Sequence, residues 1–118
     1  MTGSACLRAL TRFVELFNAA SFFEAHEVLE DYWREDQSRD RPFYQGLIQI
    51  AAACVHLQRG TPDGARKLLK KARQHLTPYL PAHSGFDLEG ILRATEQCLD
   101  STAGDGAFPR LNFDRKSF

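Results

Sequence analysis

Apolar residues recur at three- and four-residue steps through most of this chain, the period at which one face of an α-helix meets a core. Leu7, Leu10, Phe13, Val14 and Phe17 form the first such stripe, within a helix expected from Ser4 to Asn18. Ser21 followed by Glu24 has the spacing of a capping box, so a second helix is expected to start there and run to about Glu35. The polar residues Asp36 to Arg41 read as a loop, and Pro42 opens a third helix because its missing N–H is not needed in a first turn. That helix, Pro42 to Arg59, is apolar on most of its circumference through Leu47, Ile48, Ile50, Ala51, Ala52, Ala53 and Val55, which places it at the centre of the fold.

Gly60 is read as its C-terminal stop, Thr61 as the next cap and Pro62 as the next first-turn residue, a link so short that a fourth helix must run antiparallel to the third. Ala65, Leu68, Leu69, Ala72 and Leu76 make its buried stripe, and Pro78 and Pro81 end the pattern. After a loop through Gly85, Asp87 is expected to cap a fifth helix that ends near Leu99 and buries Leu88, Ile91, Leu92 and Leu99. Ser101 to Gly106 is turn-like, whereas Phe108, Leu111 and Phe113 are too apolar for a free tail and are expected to lie extended across the bundle. No alternating pattern of strand length and no internal repeat is visible. The expected fold is all-α: a compact bundle of about five helices with an extended C-terminal tail, one domain over 1–118 with its core at 4–100 and its tail at 101–118.

Charge narrows the partners. Lys plus Arg and Asp plus Glu number 15 each in 118 residues, so no net attraction to nucleic acid or anionic lipid is expected. The basic face of the fourth helix, Arg66, Lys67, Lys70, Lys71 and Arg73, lacks aromatic interleaving and reads as solvated. The most apolar run, Gly46 to Leu57, is about half the length of a membrane span and is interrupted by Gln49 and His56. Cys6, Cys54 and Cys98 are odd in number and far apart, which suits reduced thiols and a cytoplasmic location, and Arg8, Arg12 and Glu15 break what would be the apolar run of a secretory signal.

Candidate chemistry gathers on the second helix. His26, Glu30 and Trp33 have the spacing HxxxExxW and fall within a sector of about 60° at the helical repeat. Phe22, Phe23 and Leu29 flank them, so the stripe is expected to face inward, where an unpaired ionisable group is costly. Glu24, Asp31 and Glu35 fall opposite, on a solvated face. Gln45, Gln49, Ala52 and His56 share one stripe of the third helix. If the two helices pack face to face, a single polar network around His26, Glu30, Gln49 and His56 results.

Three uses of such a network follow from its chemistry. It can be a hydrogen-bonded device that fixes helix register. It can hold a divalent metal ion through His26, Glu30 and His56, or a small ligand through Gln45, Gln49 and Trp33, with a second subunit supplying the donors that are missing. It can also serve a small hydrolase in which Glu30 is the base. A zinc-protease reading fails, because His26-Glu27-Val28-Leu29-Glu30 replaces the last histidine of HExxH and offers one imidazole. Tyr32 and Trp33 are large enough to wall a pocket, Tyr44 and Tyr79 carry no assignment, and nothing pairs His75 or His83 with the stripe.

The run Phe17-Asn18-Ala19-Ala20-Ser21-Phe22-Phe23-Glu24-Ala25-His26-Glu27-Val28-Leu29-Glu30 with Trp33 resembles the bacterial and archaeal family called domain of unknown function 309. Tyr44-Gln45-Gly46-Leu47-Ile48-Gln49, Ala51 to Ala53, His56, Gly64-Ala65, Leu68 and Leu69 are similar to its pattern as well, so the likeness covers most of residues 10–100. The resemblance implies a small all-helical bundle whose HxxxExx motif, followed by Trp or Tyr, has been suggested to bind metal, here through His26, Glu30 and Trp33. Members often have Gly where this chain has Ala20, a departure that bears on the first interhelical turn. The functional expectation is therefore a polar pocket for a divalent metal or small ligand. Its alternatives are a noncatalytic homodimeric interaction module in which the stripe is structural and an apolar outer surface binds, and the small hydrolase.

Overall fold

The computed structural model describes residues 2–100 and 108–118, with side chains from residue 5 onward. The expected turn at Ser101–Gly106 lies outside the described residues. Five helices follow one another: α1 (Thr2–Asn18), α2 (Phe22–Glu35), α3 (Arg41–Arg59), α4 (Pro62–Leu76) and α5 (Leu88–Asp100). All five were expected, with boundaries shifted by a residue or two. Leu10, Phe13 and Phe17 of α1 are fully buried, as are Ala25 and Leu29 of α2. The central position of α3 also holds: it packs against α2 on one side and α4 on the other, and Phe43, Leu47, Ile50, Ala51, Ala53 and Cys54 are buried along it.

Two helix ends share one construction. Ser21 N–H donates to Leu16 O at 2.9 Å and Ala20 N–H to Phe17 O at 2.9 Å, while Thr61 N–H donates to His56 O at 2.9 Å and Gly60 N–H to Leu57 O at 3.3 Å. These are Schellman endings, which place one residue in the left-handed region. Gly60 takes it at φ 73° and Ala20 at φ 60°. The first turn thus keeps the backbone that glycine favours although alanine occupies it, a conformation that costs an L-residue about 1–2 kcal/mol. Gln58 helps to hold it by donating to Ala20 O at 2.7 Å.

The two expected threonine and serine caps are not made through side chains: neither Ser21 nor Thr61 caps its helix with its hydroxyl. Thr61 turns back to α3 instead, donating to His56 O. Asp87 does cap α5, accepting from Gly90 N–H at 3.0 Å. Before it, Ala82–His83 (β1) and Phe86–Asp87 (β2) pair antiparallel, with Ala82 opposite Asp87 and His83 opposite Phe86. This hairpin was not expected. Its turn needs two residues at positive φ, met by Ser84 at 49° and Gly85 at 85°.

The C-terminal segment lies across the bundle as the pattern required. Asn18 clasps both backbone groups of Leu111, donating to its O at 3.1 Å and accepting from its N–H at 2.7 Å. Phe108 meets Phe22 edge-on, and Phe113 stacks on Phe86 at 4.4 Å while bridging to it through the backbone.

One contact between α3 and α4 leaves no spare room. A Cβ at Gly46 would lie 2.5 Å from Leu76 Cγ, and Leu76 is fully buried. Gly46→Ala is therefore expected to destabilise the protein by about 1–3 kcal/mol. In urea denaturation the Gly46→Ala/Leu76→Ala double variant should lose less than the two single losses added together.

Candidate functional site

His26 and Glu30 lie one turn apart on α2, and His26 Nε2–H donates to Glu30 Oε2 at 2.8 Å. Each side chain is 27% exposed, so the pair lies at the margin of the core rather than inside it. The other carboxylate oxygen of Glu30 accepts from Arg34 at 2.8 Å, and Phe23 stacks on the His26 ring with centroids 6.1 Å apart. His26 Nδ1 is buried and has no partner among the described residues. The inward position expected for this stripe is thus only half met, because its polar atoms run along the flank of the buried face formed by Phe22, Ala25 and Leu29.

Trp33 is occupied differently. The Arg41 guanidinium lies 4.5 Å over its ring and donates to Trp33 O at 2.7 Å, and it also donates to Asp36 O. Arg41 thereby closes the open carbonyls at the end of α2, where a cation is favoured by the helix dipole. Trp33 Nε1 is buried without a partner among the described residues.

The polar stripe of α3 turns to α4 and not to α2. His75 Nδ1–H donates to Gln49 Oε1 at 2.8 Å. His56 Nδ1–H donates to Thr61 Oγ1 at 2.8 Å, and its ring rests on Gly64, where a Cβ would come within 2.5 Å of Nδ1. Gln45, one turn before Gln49, is half-buried and makes no hydrogen bond to another described side chain. The expected single network is therefore corrected to three separate pairs: His26 with Glu30, Gln49 with His75, and His56 with Thr61. The reason is packing. The close approach at Gly46 presents this edge of α3 to α4, leaving Tyr44 to meet Tyr32 of α2 at 5.4 Å.

For a divalent metal this arrangement supplies two donors, His26 and Glu30, and the trio with His56 does not assemble. Among the described residues no three His, Cys, Asp or Glu side chains are placed to hold an ion. The unpartnered His26 Nδ1 also lacks the acceptor that orients a metal-bound imidazole. A site here needs donors from outside one chain. As a base, Glu30 would have to part from His26 or Arg34, which occupy its two oxygens.

Two groups that sequence reasoning set aside prove to be structural hubs. His75 completes the Gln49 pair. His83 Nε2–H donates to Asp40 Oδ2 at 3.1 Å, with its ring 4.7 Å from both Phe43 and Tyr79, and Tyr79 O–H donates to Arg39 O at 3.1 Å. Together they fasten the hairpin to the α2–α3 loop. A third group gave no signal: Tyr44 Oη and Cys6 Sγ are 3.0 Å apart, both residues buried, although 38 positions separate them.

Residues 10–68, half of the chain, match the family described as Domain of unknown function (DUF309). The match includes α2 and α3 whole and stops within α4, short of the residues 10–100 over most of which the resemblance runs. The chain is similar to an uncharacterized protein of Bacillus subtilis, YpuF, with 40% identity over 57 residues, 48% of this chain and 33% of that one. It is also similar to an uncharacterized protein of Aquifex aeolicus, with 28% identity over 102 residues, 86% of this chain and 30% of that one. The chain thus spans about a third of the length of these curated relatives. Among the described residues no helix is long and apolar enough to cross a membrane.

Burial first, and then the contact with Cys6, raises the Tyr32 and Tyr44 phenols above the ordinary value of 10.0. Their neutral forms are favoured in the folded protein, so the unfolded chain releases these protons first as pH rises. The stability they contribute is present below pH 10.0 and lost above it. Urea midpoints measured across that value should fall on the alkaline side. Tyr44→Phe should be less stable at neutral pH by about 1 kcal/mol yet show a shallower alkaline fall.

Proposed function

The chain belongs to the family of the domain of unknown function 309, and on that premise we propose that it is a noncatalytic binding module that pairs with a second copy of itself through the outer face of α2. The observation that carries this reading is Phe23, 48% exposed and stacked on His26 beside the half-open His26–Glu30 pair. An apolar ring left in water beside half-exposed polar groups is a surface that association would cover, with the apolar group at the centre and the polar ones at the rim. Zero net charge adds no repulsion between copies. The pairing of His26 with Glu30, and of Gln49 and His56 with partners toward α4, supports a structural role for these groups and leaves the contact to the apolar residue.

A second reading keeps the metal. A two-fold interface brings the same patch of each copy together, so two His26–Glu30 pairs meeting near the axis would offer four donors where one chain offers two. His56 has no part in this version.

Sedimentation equilibrium separates the two. In chelator, the module reading expects a dimer that Phe23→Asp turns into a folded monomer. His26→Ala should cost roughly 1 kcal/mol in stability and leave the dimer in place. The metal reading expects a dimer only with added zinc, manganese or nickel, lost in His26→Ala, and a gain of about 2.7 kcal/mol in stability at a hundredfold excess over Kd. A monomer under every condition removes both.

A further inference from the structure

About 120° around α2 from His26, on the side that carries Tyr32, a cleft of about 730 Å3 opens between the start of α1, the end of α2 and the α2–α3 loop. Its volume falls within the roughly 300–1,000 Å3 of small-molecule sites. Tyr32 and Tyr44 form its inner corner, their rings 5.4 Å apart and at 89° to each other. Phe118, 42% exposed, lines it as well. Tyr44 is 5% exposed and its hydroxyl is taken by Cys6, so it forms the floor of the cleft, and the open aromatic surface comes from Tyr32 and Phe118.

Charge along the loop is net negative. Glu35, Asp36 and Asp40 line the cleft with Arg39, and Arg41 lies beside them, donating to Asp36 O. Asp36 is held by accepting from Ser38 N–H and Oγ–H, and Asp40 by His83, so two of the three acids are fixed in place. Aromatic faces carry negative potential and attract cations, most strongly where water is displaced. The acids act in the same direction. An anion would meet three carboxylates, and a neutral apolar molecule would gain nothing from the rim. A bare divalent ion would find no converging set of donors among the described residues.

The geometry points to a binding site for a small organic cation, an alkylated ammonium, in the cleft walled by Tyr32, Tyr44 and Phe118 and rimmed by Glu35, Asp36 and Asp40. The alkyl groups pack into the aromatic corner, and the diffuse charge faces the acids without the tight coordination that a metal ion needs. This site is separate from the α2 face assigned to self-association, and neither depends on the other.

Choline and its neutral isostere 3,3-dimethyl-1-butanol, titrated against the 15N-labelled protein, test it. Choline should bind saturably and move the amides of Tyr32, Asp36 to Asp40 and Tyr44, and the isostere should bind at least about tenfold more weakly. Glu35→Gln, an exposed position, should weaken choline several-fold and leave the isostere unchanged. Tyr32→Leu should weaken choline further, with a thermal melt to check its fold; if it fails to fold, Glu35→Gln decides. Equal affinity for the two compounds, no saturation by choline below about 10 mM, or shifts centred on Phe23 and His26 would each overturn the assignment.

Discussion

Leu76 of α4 reaches the backbone of α3 at Gly46, in space that any side chain at that position would fill. This approach fixes which edge of α3 is given to α4, and the pairing of Gln49 and His56 on that edge follows from it. Gln49 finds His75 and His56 finds Thr61 on the α4 side, while Tyr44 is left to meet Tyr32 and Cys6 on the other. A hairpin of two antiparallel helices has one rotational setting per contact of this kind, because close-packed interiors do not slide by fractions of a residue.

The same constraint explains which parts could be read in the sequence. Five helices and their buried stripes were legible because apolar spacing carries through whole turns, as at Leu10, Phe13 and Phe17. The tail over Phe22 and Phe86 was legible from Phe108 and Phe113, which have no reason to be apolar in solvent. The hairpin at Ala82–Asp87 was not, since two-residue strands show no alternation and only the Ser84-Gly85 pair marks the turn. The Cys6–Tyr44 contact joins residues far apart in the chain and has no local signature.

The site was half legible. His26 and Glu30 are a pair because helical geometry alone places residues four apart in contact. Their expected meeting with Gln49 and His56 was an inference about which helices face each other, and periodicity cannot supply that. A signal was nevertheless present: the short link at Gly60 and Thr61 makes α3 and α4 antiparallel, and positions equally far from it then fall opposite. Gly46 with Leu76 and His56 with Gly64 obey this rule to within one residue, and Gln49 meets His75 with an offset of three, less than one turn. The proposed function rests on a division of labour. The motif residues hold helix ends and flanks together, Arg41 on Trp33 included, and open surface remains at Phe23 and in the cleft beside Tyr32.

The claim that α3 gives its polar edge to α4 is tested most directly by two double-mutant cycles that share Gln49. Cycle free energies from urea denaturation should show a coupling of about 0.5–1.5 kcal/mol between Gln49→Ala and His75→Ala, and none beyond error between Gln49→Ala and His26→Ala. Coupling of Gln49 to His26 with none to His75 would contradict the account and restore a shared network between α2 and α3.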